Sequence, residues 1–210
     1  MRTAAIRTAG LRERATSLAK RADTNPYSPA MQPALAHHPA SDIRIRPAEP
    51  LDLDALAALE KRLFATDRIA RRGFRRFLRS PAAALIIAVH GETLAGYALV
   101  LFRAGSGIAR LYSIAVAPEA GRRGVGVRLL AAAEEAALGR ERGVLRLEVH
   151  ENNAAAIARY RKSGYAMFGR HFDYYGDHGH ALRFEKRLAP RLRGLATAPP
   201  GGTASTRKST

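Results

Sequence analysis

Apolar positions recur along the chain in two rhythms, and the alternation between them outlines a fold. Residues Asp42 to Arg46 read polar, apolar, polar, apolar, polar, the period of a short strand. Leu51, Leu53, Leu56, Leu59, Leu63 and Phe64 follow with helical spacing, which predicts a helix through about residue 63. Phe74, Phe77 and Leu78 mark the buried side of a second, strongly basic helix over Ala70 to Leu78, closed by Ser80-Pro81. Ala84 to Val89 and Leu94 to Phe102 then read as two strands joined through the compact turn His90-Gly91-Glu92-Thr93. Gly105-Ser106-Gly107 turns the chain into a third strand, Ile108 to Val116. Beyond the turn at residues 118–126, a leucine- and alanine-rich run predicts a helix ending near Gly139 or Gly143. A strand over Val144 to Val149, a helix from about Asn153 to Ser163 stopped by Gly164, and a strand pair, Tyr165 to Phe172 and Leu182 to Leu188, complete the pattern. The order predicts an α/β domain with a mixed, mostly antiparallel sheet and helices packed against it.

The ends do not share this patterning. Residues 24–41 carry four prolines and little apolar periodicity, so residues 1–41 are expected to form a basic, disordered extension and linker. Residues 42–190 form the expected domain, and residues 191–210 a basic disordered tail. The formal charge of +17 is spread over all three, with +4 in residues 1–40 and +4 in residues 191–210. Such an excess favours acidic surroundings, nucleic acid or a polyphosphate ligand among them. No nucleic-acid motif or aromatic platform accompanies it, so no specific nucleic-acid site is expected. The chain has no cysteine, which excludes disulfides and thiolate chemistry. His37-His38 lacks a nearby carboxylate cluster, and His178 with His180 lacks a third ligand placed by a motif, so no metal site is expected. No apolar run reaches membrane-spanning length and no secretory signal develops, which makes a cytoplasmic protein without a membrane partner the expectation.

The stretch that carries chemistry is Leu111 to Leu130, a strand, a basic glycine turn and a helix. That layout points backbone N–H groups and the positive end of a helix at a bound phosphate. Gly124 and Gly126 permit close approach, while Arg122 and Arg123 add charge. A plain structural turn is the competing reading of the same residues.

Together with the order of elements, ARLYSIAVAPEAGRRGVG, LRLEVHENNAAAIARYRKSGY and YYGDHGHALRFEKRL resemble the GNAT superfamily of N-acetyltransferases. The likeness is strongest to the bacterial ribosomal-protein-alanine N-acetyltransferases and spans about residues 43–188. It implies the GNAT-type acyl-CoA N-acyltransferase fold, with helices on both faces of the sheet. It also implies a bulge in the strand Ile108 to Val116 and a splayed gap between that strand and the next, where acetyl-CoA, the acetyl donor, lies. In this resemblance the backbone of Ile114, Ala115 and Val116 meets the pantetheine arm. Arg122, Arg123, Gly124, Val125, Gly126 and Val127 surround the pyrophosphate. Gly121 stands where the family usually has Gln or Arg three residues before its first glycine, a departure that weakens one contact. Asn153 matches a cofactor-contacting asparagine, with a helix cap as the structural alternative.

The implied reaction is acyl transfer from a thioester to an amine. Glu148 matches the family's base candidate and Tyr160 is placed as the acid for the leaving sulfur. A glutamate's reference pKa of about 4.3 lies well below the roughly 7.7–8.0 of an α-amine, so a raised pKa or a water relay would help. The competing readings are a glutamate paired with arginine and a core tyrosine. His150, on the same strand face as Glu148, is a minor rival base. Acceptor walls are expected at Ala65 to Arg72 and Asp173 to His180, with Tyr174 and Tyr175 against a peptide and Asp173 or Asp177 holding an amine. The expected acceptor is a protein or peptide N-terminal α-amine of the ribosomal-protein kind. A small-molecule amine, or a non-catalytic acetyl-CoA-binding module, is the alternative.

Overall fold

A computed structural model of the chain describes residues 7–8, 43–64, 68–120, 123–176 and 178–189. Its strands are β1 (Arg7–Thr8), β2 (Ile43–Pro47), β3 (Ala83–His90), β4 (Thr93–Phe102), β5 (Ile108–Val116), β6 (Val144–His150), β7 (Ala166–His171) and β8 (Ala181–Arg187). The α-helices are α1 (Leu53–Leu63), α2 (Arg71–Arg79), α3 (Val125–Leu138) and α4 (Ala154–Lys162). Short 3-10 turns at Pro50–Asp52 and Pro118–Ala120 lead towards α1 and α3.

One sheet takes the order β2-β3-β4-β5-β6-β8-β7. The first four of these strands form an antiparallel meander, β5 and β6 are parallel, and β6, β8 and β7 are antiparallel. The parallel step needs a crossover, and α3 provides it. Helices cover both faces, as neighbouring residues of β4 show. Tyr97 points to α1 and α2, where its ring meets Phe74 edge-on at 5.4 Å. Gly96 points to α3, and a Cβ there would lie 3.0 Å from Leu129 and 2.5 Å from the Ala115 carbonyl. Only glycine fits that crossing. The core runs through the sheet and includes Leu56, Ile87, Leu99, Leu111, Leu129, Leu145 and Phe184.

The meander and the β6-β8-β7 set part company at β5. Its register with β4 steps from Leu99–Ser113 to Val100–Leu111, leaving Tyr112 as the extra residue of a bulge. On its other side β5 pairs with β6 only at Ile108–Val144, Ala109–Leu145 and Arg110–Arg146. Past Arg110 the two strands diverge, so the expected bulge and gap are both present. β1, which no periodicity announced, pairs in parallel with Ser113 and Ile114 on the freed side of β5. The remainder of the expected extension, Ala65, Thr66, Asp67, Gly121, Arg122, Asp177 and the expected tail lie outside the described residues. Among the described residues no helix is long and apolar enough to cross a membrane.

Candidate active site

The glycine turn ends at Gly124, which takes a left-handed φ of 71° as the residue before α3. The N–H groups of Val127 and Arg128 both return to the Gly124 carbonyl. Val125 and Gly126 therefore precede the first helical hydrogen bond, where N–H groups have no partner within the helix. Val125 is fully buried and anchors the turn, while Val127 is 54% exposed on its outer side. Two cations stand near. Arg123 lies 3.3 Å from the His90 ring. Arg159 of α4 reaches across the turn, 3.0 Å from where a Gly126 Cβ would be. Arg159 was not foreseen, because it comes from α4, beyond α3 and β6 along the chain, and only the tertiary fold brings its side chain there. Glycine backbone, a helix start and converging arginines suit a phosphate-bearing arm. Beyond the turn, Ile114, Ala115 and Val116 lie on the part of β5 that has left β6, with β1 paired at Ser113 and Ile114.

Glu148 sits just past the point where β5 and β6 diverge. Parity places Arg146, Glu148 and His150 on one face of β6, while Leu145, Leu147 and Val149 are fully buried on the other. The carboxylate is 5% exposed. Arg110 of β5 donates to it from Nε at 3.0 Å and approaches from Nη2 at 2.9 Å. Arg183, its cross-strand partner on β8, lies 3.9 Å away. Arg110 also donates to the Tyr174 hydroxyl at 2.7 Å. Burial pulls the Arg110 guanidinium pKa down, but Glu148 and Tyr174 outweigh it and the net direction is up. Burial pushes the Tyr174 phenol up against the pull of Arg110. These groups, with Ile108, Arg146 and His171, line a cavity of about 250 Å³.

The other expected residues are placed differently. Tyr160 is 2% exposed, with its ring 5.8 Å from Tyr165 and 6.3 Å from Phe184, and burial pushes its phenol pKa up. It does not line the Glu148 cavity. The Asn153 side chain accepts from the Ala156 N–H at 3.1 Å and caps α4. His150 stacks near Tyr175 with ring centroids 4.8 Å apart. Asp173 pairs with His178 at 2.6 Å. Tyr174 was expected as a wall, but its link to Arg110 and its 5.3 Å stack on His171 were not. Nor was the role of Arg110. The available signal was a single cation inside the apolar run IARLYSIAV, which a central strand tolerates only with a counter-charge nearby.

The family model for the acetyltransferase (GNAT) family matches residues 52–165, more than half of the chain. The N-alpha-acetyltransferase RimI of Mycobacterium tuberculosis is 37% identical over 127 residues, covering 59% of this chain and 78% of that protein. The crystal structure of the ribosomal-protein-S18-alanine N-acetyltransferase from Escherichia coli aligns with a TM-score of 0.63 at 26% identity, covering 73% of this chain and 98% of that one. That of the ribosomal-protein-alanine N-acetyltransferase from Brucella melitensis gives 0.61 at 26% identity, over 69% and 99%.

Proposed function

The chain belongs to the acetyltransferase (GNAT) family, and from that premise we propose that it moves the acetyl group of acetyl-CoA to the N-terminal α-amine of a protein. The observation that carries the reading is the Glu148 cavity, opened where β5 and β6 part. The Glu148 carboxylate stands where the gap begins, and the backbone of residues 114–116 runs along the freed part of β5 into the phosphate-suited turn. Bound acetyl-CoA supplies an activated thioester. Arg123, Gly124, Val125, Gly126 and Val127 would hold its pyrophosphate, with Arg122 of the same turn, and Ile114, Ala115 and Val116 would pair with its pantetheine amides. An arm lying there must displace β1, because the Ser113–Ile114 backbone has one open side. Asn153 would contact the arm from the start of α4 while still capping it.

Glu148 is the proposed base, taking the amine proton directly or through a water. Its salt bridge with Arg110 fixes the carboxylate orientation at the cavity wall. Tyr160 is the proposed donor to the departing sulfur. Burial pushes its phenol pKa up, so it would stay protonated and able to donate a hydrogen bond to the sulfur. An α-amine suits this chemistry, since its reference pKa of about 7.7–8.0 leaves free base near neutrality, far more than a lysine at about 10.4. The similarity to N-terminal acetyltransferases supports the same acceptor class. The test incubates the full chain with acetyl-CoA and three acceptor sets: peptides with free α-amines, the same peptides blocked there but bearing lysine, and polyamines. Mass spectrometry should find acetyl groups at α-amines. Modification of the polyamines alone would transfer the enzyme to small-molecule chemistry.

A further inference from the structure

The cavity beside Glu148 holds more positive charge than the proposed reaction needs. Three of its walls are guanidinium groups, Arg110, Arg146 and Arg183. Arg110 is committed to Glu148 and Tyr174. Arg146 is committed to Glu185 through a 2.9 Å bond from Nε. Arg183 is not matched in this way. It lies 3.9 Å from the Glu148 carboxylate, beyond hydrogen-bond reach, and its guanidinium stacks 4.5 Å over Phe168. Its Nε–H is buried with no hydrogen-bond partner among the described residues. Three guanidinium groups thus share two carboxylates, Glu148 and Glu185, which leaves one positive charge in excess at the cavity.

We propose that Arg183 makes this cavity selective for acceptor peptides carrying a carboxylate side chain within their first residues. The inference rests on the reading of the cavity as the acceptor end. An α-amine reaches the site largely as an ammonium ion, and a cavity with surplus positive charge opposes it. A carboxylate one or two residues along the same peptide reverses that sign. It also meets the partly exposed Arg183 guanidinium, a planar group that can hold a carboxylate through two parallel bonds. Once the carboxylate is seated, its charge offsets the excess and the ammonium is admitted to the site, where the proposed base takes its proton. A lysine near the acceptor N-terminus adds repulsion and has no counter-charge to meet. The volume agrees: about 250 Å³ is below the roughly 300–1,000 Å³ of pockets that enclose drug-sized ligands, and suits a terminal residue with a short acidic neighbour.

The experiment compares the full chain with Arg183→Met and Arg183→Lys on peptides identical except for Asp, Glu, Ala or Lys at the second and third residues. The unmodified chain is expected to acetylate the acidic peptides about tenfold more efficiently than the lysine peptides, with a ratio that falls as salt rises. Arg183→Met should reduce the ratio to about twofold or less, and Arg183→Lys should restore part of it. The rescue by lysine separates a charge role from a packing role, and the salt response of the unmodified chain tests the idea even if the Met variant fails to fold. Equal rates on acidic and lysine peptides in the unmodified chain overturn the proposal while leaving α-amine acetylation intact. No acetylation of any peptide, with small amines acetylated, overturns the acceptor reading as well.

Discussion

Two glutamates are buried to nearly the same degree and stand in opposite surroundings. Glu60 of α1 is 1% exposed and Glu148 of β6 is 5% exposed. Glu60 accepts from the Ile69 N–H at 2.8 Å and from the Tyr97 hydroxyl at 2.5 Å, and that hydroxyl also meets Ser113 at 2.9 Å. These two donors are neutral groups, and they tie the entry of α2 to α1 and the sheet. Glu148 has charged partners and a cavity in front of it. Burial alone therefore does not separate the proposed base from a structural carboxylate. What separates the two is whether an open volume adjoins the group and whether its neighbours hold it without sealing it.

The sharpest way to break the comparison is to remove each carboxylate and read rate and stability together. Glu148→Gln should lower kcat/KM by about 100-fold or more while circular dichroism and the thermal midpoint stay near those of the unmodified chain. A rate within threefold would make Glu148 structural, like Glu60. Tyr160→Phe extends the same contrast to a phenol and should lower kcat by at least about tenfold, with acetyl-CoA affinity held, if it donates to the departing sulfur. Wild-type kcat would assign Tyr160 to the core it packs in. Glu60→Ala should act on the other axis. Denaturant unfolding is expected to show a loss of about 2–4 kcal/mol, because the Tyr97 hydroxyl and Ile69 N–H lose a shared acceptor. The smallest effect is expected from Asn153→Ala, about 1 kcal/mol from the lost cap of α4. A rise in the KM for acetyl-CoA beyond that would add the proposed cofactor contact to the cap.

Much of the scaffold could be read from the sequence because its strands and helices are long enough to show a period. Ala84 to Val89 and Leu94 to Phe102 fall within β3 and β4, and Gly164 takes the left-handed φ of 84° expected after α4. β1 has two residues and offers no period to read. Leu51 was counted with the first helix, yet it sits in the preceding 3-10 turn and is 91% exposed. Glu148 was legible through its family resemblance, but its surroundings were not. Arg110, Glu148 and Arg183 come from three strands whose mutual register is set by the sheet, with Glu148 opposite Arg183 and Arg110 opposite Arg146. Along its own strand Arg110 signals the need for a counter-charge but not which residue supplies it, and Arg183 looks like a solvated polar position. Arg159 and Gly126 meet for a similar reason, a side chain of α4 reaching the start of α3 across the fold.

The short pairing of β5 with β6 has a consequence for how the chain behaves among other proteins. A strand edge with unsatisfied N–H and C=O groups is ordinarily an aggregation hazard, which proteins blunt with charges, bulges or covers. Here the edge that β5 presents beyond Arg110 lies in the middle of the sheet, beside the Tyr112 bulge, and the two residues of β1 cover it at Ser113 and Ile114. The outer strands of the sheet, β2 and β7, stand on either side of it. A foreign strand thus meets a narrow wedge rather than a long flat border. The fold keeps a sticky surface, but in a place where a slender ligand is admitted more readily than another sheet.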